Sequence, residues 1–249
     1  MRKIAAAIID SIVKQRRLGS HTLYMLGSRI MSAYENRDVA MTTNGERWLI
    51  ARLAETGRVE AFDVGANKGE WAQFFLQYTS KGQIFCFEPV PTTFAALRHA
   101  VDHPRATLVQ KGMSDKAGTM KINSVVDNPY ISSFYDLHPY EEDHEIQPID
   151  VELSTGDSEL EARGIERLNI LKVDAEGHDF RVLKGFSNAL KADRIDFIQF
   201  EYNYFTCIAR TSLRDFFDLL EDKYLICRLL PAGLEAIGFH HSIENFGQA

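Results

Sequence analysis

"FDVGANKG", residues 62–69, decides how the chain is read: an apolar run enters an acid, Asp63, and then a turn with glycines at 65 and 69 and Asn67 between them. Its approach, "VEAFDVG" (59–65), and the later "QIFCFEP" (83–89) are short apolar runs bounded by turn residues, as expected of strands buried on both faces. Between them Trp71, Phe74, Phe75 and Tyr78 fall at i, i+3, i+4 and i+7, which predicts a helix whose aromatic stripe is core. A helix carrying Phe94, Leu97 and Val101 follows, then the strand "ATLVQKG", the strand "LNILKVD" (168–174), a helix bearing Phe180, Leu183 and Phe186, and "IDFIQFE" (195–201). A helix starting near Thr211 or Ser212 shows Leu213, Phe216, Phe217 and Leu220, and "YLICRLL" and "LEAIGF" are expected as two closing strands. Strands alternating with helices predict an α/β fold on a mostly parallel sheet.

The rhythm breaks between about 119 and 156. There "TMKINSV" and "IQPIDVEL" look like strands with no helix between them, and the polar, aromatic "DNPYISSFYDLHPYEEDHE" joins them. A structureless loop of that length in a compact domain is more often functional than not, so it is expected to be a substrate lid or wall.

The 249 residues are 45% hydrophobic, enough for one large core, and the expected organisation is an N-terminal helical extension (1–40) before one domain (41–249). A formal net charge of −7 leaves no basic field for a phosphate backbone, which argues against a nucleic-acid partner. Cys86, Cys207 and Cys227 form no CxxC pair, so neither a zinc ribbon nor a disulfide framework is expected, and the compartment is read as reducing cytosol. No stretch approaches the ~18 continuous apolar residues of a membrane span. In "MRKIAAAIIDSIVKQRRLGS", Ile4, Ile8 and Ile12 repeat along one helical face. That amphipathic helix suits packing on the domain or on a second subunit, and its basic residues would also permit contact with an anionic membrane surface.

In an open parallel sheet ligands bind beyond the carboxyl ends of the strands, and the first strand-to-helix turn needs glycine where backbone and ligand approach. The dinucleotide fingerprint GxGxxG is not met: Asp63 precedes Gly65, Asn67 and Gly69, and a carboxylate there faces a pyrophosphate badly but suits a cation. Glu88 ends the second strand, where a carboxylate can accept hydrogen bonds from both hydroxyls of a ribose. Ribose, positive charge and no essential phosphate describe S-adenosylmethionine. A nucleotide-dependent oxidoreductase and a scaffold protein retaining the pocket without chemistry are the rival readings.

"NGERWLI" at 44, "FDVGANKGEWA" at 62, "FEPVPTTFAALR" at 87, "GMSDKAGTMKI" at 112, "SSFY" at 132, "LKVDAEGHDFRVLKG" at 171 and "FEYN" at 200 resemble, in order, the successive motifs of FkbM-type methyltransferases. The resemblance spans roughly residues 40–205 and leaves 1–40 unmatched. It implies a class I methyltransferase, Rossmann-like fold with a mostly parallel seven-stranded sheet and helices on both faces. It also implies S-adenosylmethionine as donor and O-methylation of a hydroxyl on a sugar, glycolipid or secondary metabolite, so a small-molecule or glycan acceptor. Carried over by residue, Asp63, Gly65, Asn67 and Gly69 line the methionine end of the donor, Glu88 takes the ribose, and Gly112, Met113, Ser114 and Asp115 meet the adenine.

On the acceptor side, alternation along "LKVDAEGHD" buries Leu171 and Val173 and brings out Asp174, followed by Glu176 and His178. His178 has the suitable ordinary pKa for a general base, and Asp174, Glu176 and Glu201 can serve if desolvated. Ser132, Ser133, Tyr135 and His138 in the insertion, with Glu201, are the expected acceptor contacts, and His138, His144 and Tyr135 are reserve bases. Asp174, Glu176 and Glu201 could converge on Mg²⁺, but no dense carboxylate motif supports a metal and none is predicted.

Overall fold

The computed structural model describes residues 10–11, 13–16, 18–126, 128, 131–137 and 144–239. The chain divides into two compact units, Met1–Trp48 with Leu229–Glu235, and Leu49–Arg228 with Ala236–Ala249. In the first, helix α1 (Ser20–Tyr34) begins after Gly19. Asn36 follows it and donates to the carbonyls of Asn44 (2.7 Å) and Leu229 (2.8 Å), tying the two sequence-distant parts of that unit together. Helix α2 spans Glu46–Glu55.

The second unit is built on five parallel strands in the order β3-β2-β1-β8-β9. These are β1 (Val59–Val64), β2 (Gly82–Phe87), β3 (Ala106–Val109), β8 (Leu168–Val173) and β9 (Ile195–Phe200). Helix α3 (Glu70–Tyr78) follows β1 and α4 (Pro91–Ala100) follows β2, the latter with proline in its first turn, where its missing N–H has no cost. Alternation divides the central strands between two faces. Phe62, Val64, Phe85, Phe87, Leu171 and Val173 join one buried cluster with Leu160, Leu183, Phe186 and Phe216. Asp63, Cys86 and Lys172 lie in register across β1, β2 and β8 on the other face. The aromatic stripe of α3 is core, with Trp71 stacked on Phe75 at 5.7 Å between centroids.

The break in the rhythm forms a second sheet, β4 (Gly112–Met113), β7 (Ile146–Ser154), β5 (Gly118–Val125) and β6 (Ser132–Ser133), ordered β4-β7-β5-β6. β5 and β7 pair antiparallel over their whole length, from Gly118 opposite Leu153 to Val125 opposite Ile146. Helix α5 (Gly156–Ala162), which the sequence pattern did not show, leads from there to β8. After β8 come α6 (Asp179–Lys184) and α7 (Ser187–Lys191), and after β9 come α8 (Tyr204–Ile208) and α9 (Leu213–Leu220). α9 starts where expected because Ser212 and Asp215 form a reciprocal capping box.

The fold class expected from the sequence holds, with one correction in strand count. The closing strands exist, as β10 (Cys227–Leu230) and β11 (Gly233–Ala236), but among the described residues they pair with each other and do not extend the five-stranded sheet to seven. Only Pro231 and Ala232 separate them, a connection long enough for a hairpin and too short for a crossover.

The turn after β1 is shaped by its neighbours in the chain. Gly65 has φ 82°, and a Cβ there would lie 1.8 Å from the Asp174 carbonyl oxygen. At Gly69, φ 85°, a Cβ would meet Val101 at 2.4 Å and Leu97 at 2.7 Å. Both glycines are thus required by protein packing, whatever ligand approaches them. Gly65→Ala is expected to destabilise the chain by about 2–5 kcal/mol, from backbone strain together with overpacking. Urea or thermal unfolding measures this directly, and an unchanged midpoint would contradict the contact between the ends of β1 and β8.

Candidate active site

Asp63 is fully buried near the end of β1. The Lys172 ammonium lies 3.8 Å from its Oδ1 and 3.1 Å from Asp174 Oδ2, so one buried cation faces carboxylates from two adjacent strands. Beyond Asp63 the chain turns over the end of β2: the Gly65 and Ala66 N–H groups both donate to the Phe87 carbonyl at 3.0 Å. Asn67 holds a left-handed φ of 47°, and its N–H donates to Glu88 Oε2 at 3.0 Å. The other Glu88 oxygen accepts from the Val90 N–H at 2.9 Å. Burial pushes the Glu88 carboxyl up to about 7 in spite of these two bonds. A carboxylate offers about four acceptor positions, so two remain for a ligand.

Four more acids stand at the carboxyl ends of β8 and β9. Asp174 donates its N–H to the Val64 carbonyl at 2.9 Å, holding it beside the glycine turn. Glu176 follows at a left-handed φ of 46°; its Oε2 is buried and finds no hydrogen-bond partner among the described residues. Asp179, in the first turn of α6, is 1% exposed, and its Oδ1 is buried with no hydrogen-bond partner among the described residues. Glu201 stands beside the Asp174 carboxyl and receives a hydrogen bond from Asn203 Nδ2 at 2.7 Å. Burial, with repulsion from the neighbouring acids, pushes Glu176 up to about 9, Glu201 to about 8 and Asp179 to about 7. Glu201 is exposed, so solvent screens the rise of its carboxyl, whose direction follows from the protein around it and the neighbouring Asp174. Among the described residues no group of three or more His, Cys, Asp or Glu side chains is arranged to hold a metal ion.

His178 is 1% exposed and lies inside the protein, not on a helix surface. Its Nε2 is 2.9 Å from Ser114 Oγ and its Nδ1 3.3 Å from the Tyr135 hydroxyl, with the Phe134 ring 4.6 Å away. Burial, with the Arg181 charge nearby, pushes it down to about 4, so the imidazole is neutral at physiological pH. Asp115 accepts from Ser114 Oγ at 3.1 Å and pairs with Arg181 at 3.2 Å; these contacts outweigh its burial and hold it below the usual carboxylate range. A cavity of about 350 Å³ opens here, lined by Ser114, Asp115, Met120, Tyr135, His178 and Arg181 among others.

The insertion reaches the strand ends through "SSFY". Ser133 is 1% exposed and donates to the Glu176 carbonyl at 2.7 Å, bracing the strained turn, while Ser132 donates to Ser124 at 3.1 Å. Tyr135 presents its hydroxyl to both His178 and the cavity. Met113 is buried in β4. His138 lies outside the described residues.

A family model described as the methyltransferase FkbM domain matches residues 63–224. The chain belongs to the FkbM methyltransferase family. Its relatives include the hexuronic acid methyltransferase AglP of Haloferax volcanii, 30% identical over 152 residues, covering 59% of each chain. The 2-O-methyltransferase NoeI of Sinorhizobium fredii is 29% identical over 199 residues, covering 75% of this chain and 80% of NoeI. The 31-O-demethyl-FK506 methyltransferase FkbM of Streptomyces tacrolimicus is 32% identical over 155 residues, covering 51% of this chain and 59% of the relative. The match thus spans about six-tenths of the first and third of these relatives. S-adenosylmethionine is the cofactor of the FkbM family. The residues fit it: a buried carboxyl with free acceptor positions on β2, and a carboxylate-rich wall for a cation across β1 and β8.

Lys172 and Asp179 stand among these strand-end groups, and the sequence reading passed over both. The signal for Lys172 was a charged residue inside an otherwise apolar strand, "LNILKVD". For Asp179 it was a third acid within six residues of one strand end.

These protonation states set opposite pH dependences. The folded chain keeps the Glu176 proton up to about 9, whereas the unfolded carboxyl releases it near 4.5, so stability falls as pH rises through that window. His178 acts between about 4 and 6.5, where stability rises with pH. Above pH 7 Glu176 and Glu201 act in the same direction, so the Glu176 share is isolated by comparing a variant with the wild-type chain. Relative to the wild-type chain, Glu176→Gln is expected to gain about 3 °C or more in melting temperature on going from pH 7 to pH 9. Scanning calorimetry at the two pH values checks it; equal gains would mean that the carboxyl ionises freely.

Proposed function

We propose that the chain is an S-adenosylmethionine-dependent O-methyltransferase acting on a hydroxyl of a sugar, glycan, glycolipid or secondary metabolite in the cytoplasm. The carrying observation is the convergence of Asp63, the glycine turn, Glu88 and Asp174 at the ends of adjacent parallel strands. The methyltransferase description of the family and the oxygen positions in the names 2-O-methyltransferase NoeI and 31-O-demethyl-FK506 methyltransferase support the reading. In this assignment Asp63, Gly65, Asn67 and Gly69 border the methionine end, Glu88 takes the ribose hydroxyls, and Met113, Ser114 and Asp115 border the adenine. Ser132, Ser133, Tyr135, His138 and Glu201 belong to the acceptor side. No described helix is long and apolar enough to cross a membrane, and the N-terminal segment is assigned to contact with a second subunit or a membrane surface.

The donor supplies a methyl group on a positively charged sulfur: the acceptor oxygen forms the new bond to carbon, the carbon–sulfur electron pair stays on sulfur, and the hydroxyl proton needs an acceptor. Positioning supplies much of such a rate enhancement. Among the three candidate bases, His178 is the poorest: it is pushed down to about 4 and both ring nitrogens face Ser114 and Tyr135. A base works best with a pKa near the operating pH. Asp174, at the end of β8 beside the glycine turn, is the assigned proton acceptor by its position, and His178 holds Tyr135 and Ser114 in place.

Asp174→Asn is expected to cut the single-turnover rate by about 10²- to 10⁴-fold while S-adenosylhomocysteine affinity stays within a few-fold. His178→Gln should lose less, and mass spectrometry of the product should locate the methyl on oxygen. A methylated nitrogen or carbon, or an undiminished Asp174→Asn rate, overturns the assignment. Glu88→Ala is expected to weaken S-adenosylhomocysteine by about tenfold or more in calorimetry. Unchanged affinity would place the ribose elsewhere, and tight NAD binding with no response to S-adenosylhomocysteine would falsify the methyltransferase reading.

A further inference from the structure

Helix α1 covers its small polar side chains and leaves its apolar ones open. Ser20 is its single buried residue and Ser28 and Ser32 are half-buried, whereas every large apolar side chain on it is exposed. Leu23, Leu26, Ile30 and Tyr34 follow one another at i, i+3, i+7 and i+11, which places them along one line of the helix, and Tyr24 and Met31 widen that line on one side. Ile30 is 60% and Tyr34 76% exposed. A helix on a domain surface ordinarily turns such a stripe to the core. Here it runs the length of 15 residues, about 22 Å, and forms a continuous face where single scattered apolar side chains would need no explanation. The charge around it is equally one-sided. The first 34 residues hold Arg2, Lys3, Lys14, Arg16, Arg17 and Arg29 against one acid, Asp10, in a chain whose net charge is −7. Asp10 is paired with Lys14 at 2.7 Å, and α1 itself contains no acid.

We propose that α1 is an interfacial helix, which lays Leu23, Leu26, Ile30 and Tyr34 into the headgroup region of an anionic lipid surface while the bases before and within it are drawn to the lipid charge. The proposal narrows the assignment of the N-terminal segment made above to one partner and is independent of the donor and acceptor readings. Burial of an apolar helix face at the headgroup boundary and attraction of nearby bases to anionic lipid act together, and each alone binds weakly. Tyrosine suits that depth because its ring is apolar and its hydroxyl stays among the headgroups. Arginine suits it too, because its long stem lies along apolar surface while the charged end reaches the lipid phosphates. A second copy of the chain fits the same face less well. Two-fold pairing sets a patch against itself, so Arg29 would meet its own kind with no carboxylate on α1 to receive it. A helix-to-helix seam is also narrow and would leave Tyr24 and Met31 in water, whereas a lipid surface takes the full width of the face. The remainder of the chain is acidic and is repelled by an anionic surface, which leaves the N-terminal segment to make the contact.

Co-sedimentation of the full chain with vesicles tests this. Vesicles of phosphatidylcholine alone, and of an equal mixture of phosphatidylcholine and phosphatidylglycerol, are titrated at low salt and again at about 0.5 M salt, where exposed charges are screened beyond a few ångström. The expected result is binding to the mixed vesicles at least about tenfold tighter than to phosphatidylcholine, an advantage that salt removes. Leu26 and Ile30 are exposed, so Leu26→Gln with Ile30→Gln should keep the wild-type melting temperature and weaken binding to the mixed vesicles by about tenfold or more. Arg16→Gln with Arg29→Gln should lose the preference for the mixed vesicles in part while the apolar face is unchanged. Failure to bind the mixed vesicles, equal binding to both kinds, or wild-type binding by the Leu26→Gln, Ile30→Gln variant overturns the proposal. A lowered melting temperature in that variant also overturns it, because the face would then be packed on the chain itself. A dimer that ultracentrifugation detects and the same variant dissociates overturns it in favour of a second copy. None of these measurements involves the methyl donor, so their failure leaves the methyltransferase reading standing.

Discussion

The contact between Gly65 and the Asp174 carbonyl governs the geometry of the whole site. It closes the gap between the ends of β1 and β8 so far that no side chain fits at position 65. With the ends drawn together, Asp63 and Asp174 come to share one ammonium, Lys172. The same turn reaches across to β2 through Phe87 and Glu88, so three strand ends are bound into one rim by backbone hydrogen bonds. The rim needs no ligand to hold its shape, because the bonds that define it run between parts of the chain. Preorganisation of that kind removes the ordering cost that a flexible rim would meet on binding.

The parts of the fold legible in the sequence are those governed by local pattern. Runs such as "VEAFDVG" and "LNILKVD" are apolar throughout because their strands are covered on both faces, and the stripe from Trp71 to Tyr78 is helical because its partners recur every three or four residues. Pairing is a different matter. β10 and β11 have the composition of sheet strands, yet the two-residue connection between them makes each the other's neighbour. Composition says that a strand forms; connection length says where it goes.

The site divides the same way. Asp63, Glu88 and Asp174 were visible because each ends an apolar run, and the end of a parallel strand is where a polar side chain meets a ligand. The state of each group was not visible. His178 stands two residues beyond Glu176 in a polar stretch and reads as accessible, but Ser114 and Tyr135, 64 and 43 residues away, bond to its ring and Phe134 lies against it. An imidazole with the ordinary pKa for catalysis becomes a neutral structural link. The glycines illustrate the reverse: their positions were read correctly as special, but the atoms that forbid a side chain belong to Asp174, Val101 and Leu97. Burial and distant contacts are tertiary facts, and no short window carries them.

What remains is an electrostatic tension at the centre of the structure. Carboxyls at the ends of β8 and β9 would repel one another if all were ionised, and the fold accommodates them by keeping some protonated and by placing Lys172 between two others. Replacing such a cluster with apolar residues would ordinarily favour stability, since desolvating charges costs more than their pairing returns. The chain instead braces it: Ser133 fixes the Glu176 carbonyl, Asp179 is buried in the first turn of α6, and Glu176 is held in a left-handed conformation that a side chain rarely adopts. Three separate elements, the insertion, α6 and the turn after β8, thus converge on keeping unfavourable charges together. Structure that works against its own stability in this way is concentrated at sites where the tension is relieved by a ligand. A cation relieves it most directly, because each carboxylate that ionises then gains an attraction in place of a repulsion.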